Sequence, residues 1–253
     1  MKNMIPTFVG QKKAGNLLCD VFSIGPYKLI IEIDSTRVFP PSETTLALAD
    51  AILKYKVSSV FDVGTGSGLL AMVAAKRGAK KVVALDINPS AIDIARKNSK
   101  LNGVENIRFV QGDIADEVHR GKFDLIVTNP PFMPMPKGSE FVSDDILKAI
   151  HGGPEGTGCE ILFAKHIRRY LKNNGVLLFP IPEFGNFKHV VSYLQELYIV
   201  RPVYRKPIRY WLSEYDESYS AHVRSLNRKG LNSLYFVDDI ILSDLNIYEC
   251  RIR

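Results

Sequence analysis

The stretch Val60-Phe61-Asp62-Val63-Gly64-Thr65-Gly66-Ser67-Gly68, running into Leu69-Leu70-Ala71-Met72-Val73-Ala74-Ala75, decides how the rest of the chain is read. A short apolar β run breaks into alternating glycines and then opens a helical pattern. A strand, a glycine turn and a helix N-terminus make a crevice faced by backbone N–H groups. Glycine is needed there because a ligand must approach the main chain without Cβ atoms in the way. A second stretch ends differently. The β run Phe123–Thr128 stops at Asn129-Pro130-Pro131-Phe132, an amide side chain held by two prolines. In an open α/β sheet both stretches face the same carboxyl edge.

Outward from these, strands and helices alternate. Ser58–Val63 reads as strand, Leu69–Arg77 as helix, Lys81–Ile87 as strand, and Pro89–Leu101 as helix with proline in its first turn. Asn106–Gln111 is strand, Ile114–His119 at most a short helix, and Phe123–Thr128 strand. A Pro- and Gly-rich loop, Asn129 to Gly158, holds a helical turn or two near Asp144–Ile150. Then come helix Cys159–Leu171, strand Gly175–Ile181, helix Gly185–Leu197 and strand Tyr198–Ile208. Upstream, Asn16–Ile24 and Tyr27–Ile33 form a hairpin over Gly25-Pro26, and Ser42 caps a helix running to Lys54. The division is an N-terminal hairpin extension over 1–40, a ligand-binding catalytic domain over 41–208, and an insertion with a closing strand over 209–253. Repeated βα units imply a mainly parallel, twisted sheet with helices on both faces.

The bulk numbers exclude some classes. A chain of 253 residues, 46% apolar and 24% charged, suits one sizeable α/β domain. It has no apolar run long enough to span a bilayer, and the start lacks the pattern of a secretory signal. Cys19, Cys159 and Cys250 are isolated and odd in number, which points to small buried residues in a reduced, cytoplasmic protein. His151, His166, His189 and His222 lack the paired spacing of a metal site, so no metal is expected. The net charge of +6 is mild evidence for an acidic partner such as nucleic acid or the ribosome.

Gly64-x-Gly66-x-Gly68 is not the G-x-G-x-x-G spacing that aims a helix dipole at a pyrophosphate. Asp62 precedes it, and an acid there suits a cationic ligand, or else caps the loop. Asp86 ends the next strand, where a carboxylate can accept both hydroxyls of a ribose. Asp113 ends the third strand and can accept from an adenine amino group, while Asn88 flanks the ribose.

In this order and spacing, DVGTGSG, ALDIN, QGD and NPPF resemble the class I S-adenosylmethionine-dependent methyltransferases over roughly Arg37 to Pro182. The resemblance implies a Rossmann-like, mainly parallel seven-stranded sheet and S-adenosyl-L-methionine as cofactor, with S-adenosyl-L-homocysteine as product. It implies that Asp62, Gly64, Thr65, Gly66 and Gly68 cradle the methionine part. Asp86, Ile87 and Asn88 would hold the ribose side, and Asp113 with Ile114 the adenine side.

Asn129, Pro130 and Phe132 are the expected catalytic residues, with Asn129 also beside the cofactor. A planar nitrogen has a delocalised lone pair and attacks carbon poorly. The Asn129 side-chain oxygen and the Pro130 carbonyl can each accept one N–H and pull that nitrogen towards sp³ character. Proline pre-sets the geometry, and Phe132 offers a flat surface to the substrate plane. The tetrapeptide resembles the amino-methyltransferases that act on glutamine side chains of release factors, on N6 of adenine or on N2 of guanine. Phe39-Pro40-Pro41-Ser42-Glu43-Thr44-Thr45 and His151-Gly152-Gly153-Pro154-Glu155-Gly156 resemble segments of the release-factor glutamine methyltransferases (the HemK type). That likeness would put Glu43 and Thr44 near the cofactor. Bacterial members carry a separate helical N-terminal domain for which there is no room before Arg37, and they usually have Tyr where Phe132 stands. The expected partner is a release factor or ribosomal protein, with nucleic acid or a small molecule as alternatives and no membrane; a homodimer or a small helper subunit is also compatible.

The insertion Arg209–Asp239 should hang over the active-site mouth. It interleaves Tyr210, Trp211, Tyr215 and Tyr219 with Arg209, Arg224, Arg228 and Lys229, diluted by Glu214, Asp216 and Glu217. Single-stranded RNA could stack there, or the tyrosines could pack a lid or a dimer contact.

Overall fold

The computed structural model describes residues 7–14, 17–136, 144–211 and 217–253. Asn16, where the first strand was expected to begin, and Glu214, Tyr215 and Asp216 of the insertion lie outside them. The chain runs β1 (Thr7–Ala14), β2 (Leu17–Ile24), β3 (Tyr27–Glu32), α1 (Glu43–Ile52), β4 (Ser59–Val63), α2 (Leu69–Lys76), β5 (Lys81–Asp86), α3 (Pro89–Leu101) and β6 (Ile107–Gln111). It continues with β7 (Phe123–Thr128), α4 (Asp144–Ile150), α5 (Gly158–Ile167), β8 (Leu171–Pro182), α6 (Phe187–Leu197), β9 (Tyr198–Trp211), α7 (Glu217–Arg228), β10 (Tyr235–Val237) and β11 (Ile240–Ile252).

The main sheet has the order β6-β5-β4-β7-β8-β11-β9, with β10 added beside the start of β11. Pairings among β6, β5, β4, β7 and β8 are parallel, and β11 lies antiparallel between β8 and β9. Since β8 and β9 both oppose β11, β9 runs in the direction of the parallel strands and ends at their carboxyl edge. The side-chain period of two divides the core. Val60, Val82, Ala84, Leu125 and Val127 face α1, α2 and the N-terminal strands. Phe61, Val63, Leu85 and Ile126 face α5 and α6. Each of the Val, Leu, Ile and Phe side chains, fully buried, contributes roughly 1.5–3 kcal/mol.

Several local expectations change. The N-terminal extension is a three-stranded antiparallel sheet, not a hairpin, because β1 pairs along β2. From Thr7 to Lys13 no β1 side chain is buried, so the strand has no apolar alternation to betray it. Residues 114–119 form a turn without a helix. The helix expected from Cys159 to Leu171 stops at Ile167 and tightens into one 3₁₀ turn, Arg168–Tyr170.

The N-terminal sheet is hydrogen-bonded to two amides, Asn98 on α3 and Asn102 at its C-cap. Asn98 accepts from the Glu32 N–H at 2.7 Å and donates to the Glu32 carbonyl at 3.1 Å and the Ser67 carbonyl at 2.9 Å. Asn102 does the same for Ile30, accepting at 2.9 Å and donating at 2.7 Å. Four helix residues advance about 6 Å and two strand residues about 6.6 Å, so the helix matches the free edge of β3. Asn98, fully buried, also holds Ser67 inside the glycine loop. Replacing it strands three backbone groups, of which the Ser67 carbonyl is buried. Asn98→Ala is expected to lower unfolding stability by at least about 2 kcal/mol, read as a reduced urea midpoint at unchanged m-value.

Candidate active site

The loop after β4 is short of free donors. The Gly64 and Thr65 N–H groups both donate to the Leu85 carbonyl, at 2.8 and 2.9 Å. The Gly66 N–H donates to Asp86 Oδ2 at 2.8 Å, and the Gly68 N–H to the Thr65 carbonyl at 2.9 Å. A loop whose N–H groups are spent internally is a poor phosphate cradle. Gly68, at φ +84°, caps α2 where a Cβ would sit 3.0 Å from Ala95 Cβ and 3.2 Å from its Cα. Gly66, at φ +53°, is different: a Cβ there would meet nothing within 4 Å, so its outer side lies open for a ligand.

Carboxylates take the place of those donors. Asp62 is fully buried; its Oδ2 accepts from Thr65 Oγ1 at 2.7 Å and from the Ala71 N–H at 3.1 Å. It therefore caps the loop with one oxygen, while Oδ1 is buried without a partner. Burial first, then the nearby Asp86 charge, pushes its carboxyl up to about 7 against the two hydrogen bonds. Asp86 takes the Gly66 N–H on Oδ2 and the Asn88 N–H, at 3.0 Å, on Oδ1. Burial raises it too. Ile87, just beyond, leaves 58% of its surface exposed, a flat apolar patch beside the acid. Asp113 Oδ1 accepts from the Ala115 N–H at 2.8 Å, and Ile114 is buried beneath. The Asn88 side chain is committed elsewhere: it caps α3 through the Ser90 N–H at 2.9 Å and donates to the Arg37 carbonyl at 2.9 Å.

On the acceptor side, Thr128 Oγ1 donates to the Val63 carbonyl at 2.8 Å and ties the end of β7 to the end of β4. Asn129 follows, half-buried. Its Nδ2 donates to Thr45 Oγ1 at 3.2 Å, and its Oδ1 is buried without a partner. Pro130 is buried and Phe132 half-buried. The segment 151–156 grips the chain after Phe132 by its backbone. The Met133 N–H donates to Ile150, Gly152 to Met133, and Met135 to Gly153, each at 2.9 Å. A methyl on Gly152 would come within 2.7 Å of the Phe132 carbonyl carbon, so two main chains touch here.

The first turn of α1 carries the residues expected near the cofactor. Glu43 is exposed and pairs with Lys206 at 3.2 Å, and Thr44 is buried. Thr45 is the residue that reaches Asn129. Its place three residues after the cap Ser42, in a capping box, was the available signal. Of the insertion's aromatics, Tyr210 and Tyr219 turn inward with Phe184, Met133, Met135 and Val223, while Trp211 is exposed. His222 on α7 donates from Nε2 to the Pro154 carbonyl at 2.6 Å. The insertion thus covers the loop that follows the tetrapeptide.

A carboxylate-lined glycine loop and an Asn-Pro-Pro-Phe turn leave the same edge of a sheet of this order. Residues 42–152 match the methyltransferase small domain. The chain is 34% identical over 175 residues to a candidate protein N5-glutamine methyltransferase of Methanocaldococcus jannaschii, covering 67% of this chain and 87% of that one. It is 31% identical over 194 residues to the ribosomal protein L11 methyltransferase of Alkaliphilus oremlandii, covering 74% of this chain and 60% of that one. Among solved structures, the L11 methylase of Lactobacillus delbrueckii subsp. bulgaricus superposes with a TM-score of 0.52 at 22% identity, over 87% of this chain and 85% of that one. The tRNA m1G37 methyltransferase of M. jannaschii does so at 0.56 and 16%, over 95% and 57%. The chain belongs to the class I S-adenosylmethionine-dependent methyltransferases of the HemK-like type.

The residues fit that cofactor. Gly66 is open to an approaching ligand, Asp62 Oδ1 is an orphaned acceptor, and Asp86 and Ile87 set an acid beside an apolar patch. Because burial lifts the folded-state Asp62 carboxyl above its unfolded value, ionising it penalises the fold. That penalty grows as pH rises from about 4 to about 7. The ligand-free protein should therefore gain stability on acidification through this window, a gain missing in Asp62→Asn. If the cofactor's cationic end lies against Asp62, binding of S-adenosylhomocysteine at pH 7 should expel about half a proton from it. Calorimetry in two buffers of different ionisation enthalpy measures this, and Asp62→Asn should abolish the release.

Proposed function

We propose that the protein methylates the side-chain amide nitrogen of a glutamine in a translation protein, a release factor or a ribosomal protein. The observation that carries this reading is Asn129, whose Nδ2 is held by Thr45 while its buried Oδ1 has no partner. An orphaned acceptor at the mouth of a cofactor site is made to receive an N–H. The likeness to a candidate glutamine methyltransferase, over most of that protein's length, supports the same acceptor.

In this reading Asn129 Oδ1 and the Pro130 carbonyl each take one N–H of the substrate amide and turn its lone pair out of conjugation. Phe132 packs against the amide plane. S-adenosylmethionine supplies, when bound, a methyl carbon activated by a sulfonium leaving group. Asp62, the loop at Gly64 and Gly66, and Asp86 hold that carbon in line with the nitrogen, while Asp113 and Ile114 border the adenine. Positioning and dipoles supply the catalysis. No strong base is needed, because the nitrogen loses its proton readily once methylated.

A nucleobase amine presents the same planar N–H₂ pair, so the acceptor class is decided by experiment. Cell extract incubated with enzyme and methyl-labelled cofactor should yield label that survives ribonuclease and is lost to protease. Label lost to nuclease instead would assign the chemistry to adenine or guanine. Asn129→Ala should reduce turnover by more than about a hundredfold, as expected for a lost oriented acceptor, with cofactor affinity changed far less. Turnover within tenfold of wild type would rule out this use of Asn129.

A further inference from the structure

A primary amide has two ends of nearly the same shape and opposite hydrogen-bonding character. If Asn129 is to receive an N–H from its substrate, its oxygen must face the cleft; the amide turned over would set N–H₂ against N–H₂. Something must choose between the two. The Asn129 Nδ2 lies 3.2 Å from Thr45 Oγ1, on the first turn of α1, and Oδ1 is the end left without a partner. We infer that Thr45 is the positioning residue for methyl transfer, fixing which end of Asn129 meets the substrate. This rests on the reading of Asn129 as the acceptor-binding amide.

Thr45 can make that choice because its own hydroxyl is already oriented. A hydroxyl has one proton and two lone pairs. The Ser42 N–H donates to Thr45 Oγ1 at 3.3 Å, and Ser42 Oγ lies 3.4 Å away, placed to take the Thr45 proton. Ser42 Oγ itself receives the Thr45 N–H at 3.4 Å. When Thr45 gives its proton to Ser42 Oγ and takes the Ser42 N–H, it offers Asn129 an acceptor and no donor. In that arrangement Thr45 binds Nδ2, and Oδ1 is the end left without a partner. The cap of α1 thus orients a side chain 84 residues away.

The test compares Thr45→Val, Thr45→Ala and Thr45→Ser, alone and combined with Asn129→Ala, in single-turnover methyl transfer with cofactor affinity and melting temperature measured alongside. Thr45→Val should lower kcat roughly fivefold to tenfold, the worth of one oriented neutral hydrogen bond, and leave the cofactor Kd unchanged. Thr45→Ser, which keeps the hydroxyl, should return kcat to within about twofold of wild type. In the Asn129→Ala background the Thr45→Val change should cost nothing further, since no amide remains to be oriented. Thr45→Ala repeats the comparison should valine disturb the fold. Wild-type kcat in Thr45→Val and Thr45→Ala, or the same loss with and without Asn129, would overturn the inference while the role of Asn129 stands. Full turnover by Asn129→Ala would remove both.

Discussion

Because β4 and β7 lie side by side, parallel and in register from Val60–Leu125 to Val63–Thr128, the glycine loop and Asn129 leave the sheet as neighbours. Adjacent strands are about 4.8 Å apart, so the two loops begin within one strand spacing of each other. The Thr128 hydroxyl on the Val63 carbonyl closes that junction at its last rung. Parallel neighbours cannot be joined by a tight turn; the crossovers through α2 and α3 are the topological cost of bringing cofactor and acceptor loops to one edge. The Leu85 carbonyl, at the end of the next strand, then bends the glycine loop by holding two of its N–H groups.

Hydrogen-bond satisfaction differs between two scaffold amides and the two candidate site residues. Buried amides in the scaffold are saturated. Asn98 bridges Glu32 and Ser67, and Asn232 donates to the Phe184 and Val223 carbonyls and accepts from Asn227. Asn129 and Asp62 each have one end engaged and one oxygen bare. Glu160 on α5 also buries an oxygen without a partner, and burial pushes its carboxyl well above the usual carboxylate range. An ionisable or amide group held at one end and open at the other is set to receive a ligand, and both examples sit on the two loops that the β4–β7 junction brings together.

The outer elements serve these loops. Segment 151–156 needs glycine at Gly152 because the Phe132 main chain runs against it, which explains a glycine-rich stretch far from the cofactor loop. The insertion uses Tyr210 and Tyr219 as packing and His222 as a tie to that same segment. The aromatics interleaved with arginine in the sequence are therefore divided by the fold between an interior and a surface.

The sequence alone determined the βα alternation and put the glycine loop, Asp62 and Asp86 at strand ends, because these rest on local patterns: period-two apolar strands, glycines at a strand end, acids at fixed offsets. Pro89 and Ser42 likewise marked their helix starts through local chemistry. Strand β1 was hidden because it buries no side chain from Thr7 to Lys13, and Thr45 because its partner is distant in the chain. Only the tertiary structure decided which oxygen of Asp62 caps the loop, that Asn88 caps a helix, and which end of Asn129 is left bare. Those are matters of who meets whom across the sheet, and no spacing along a single chain records them.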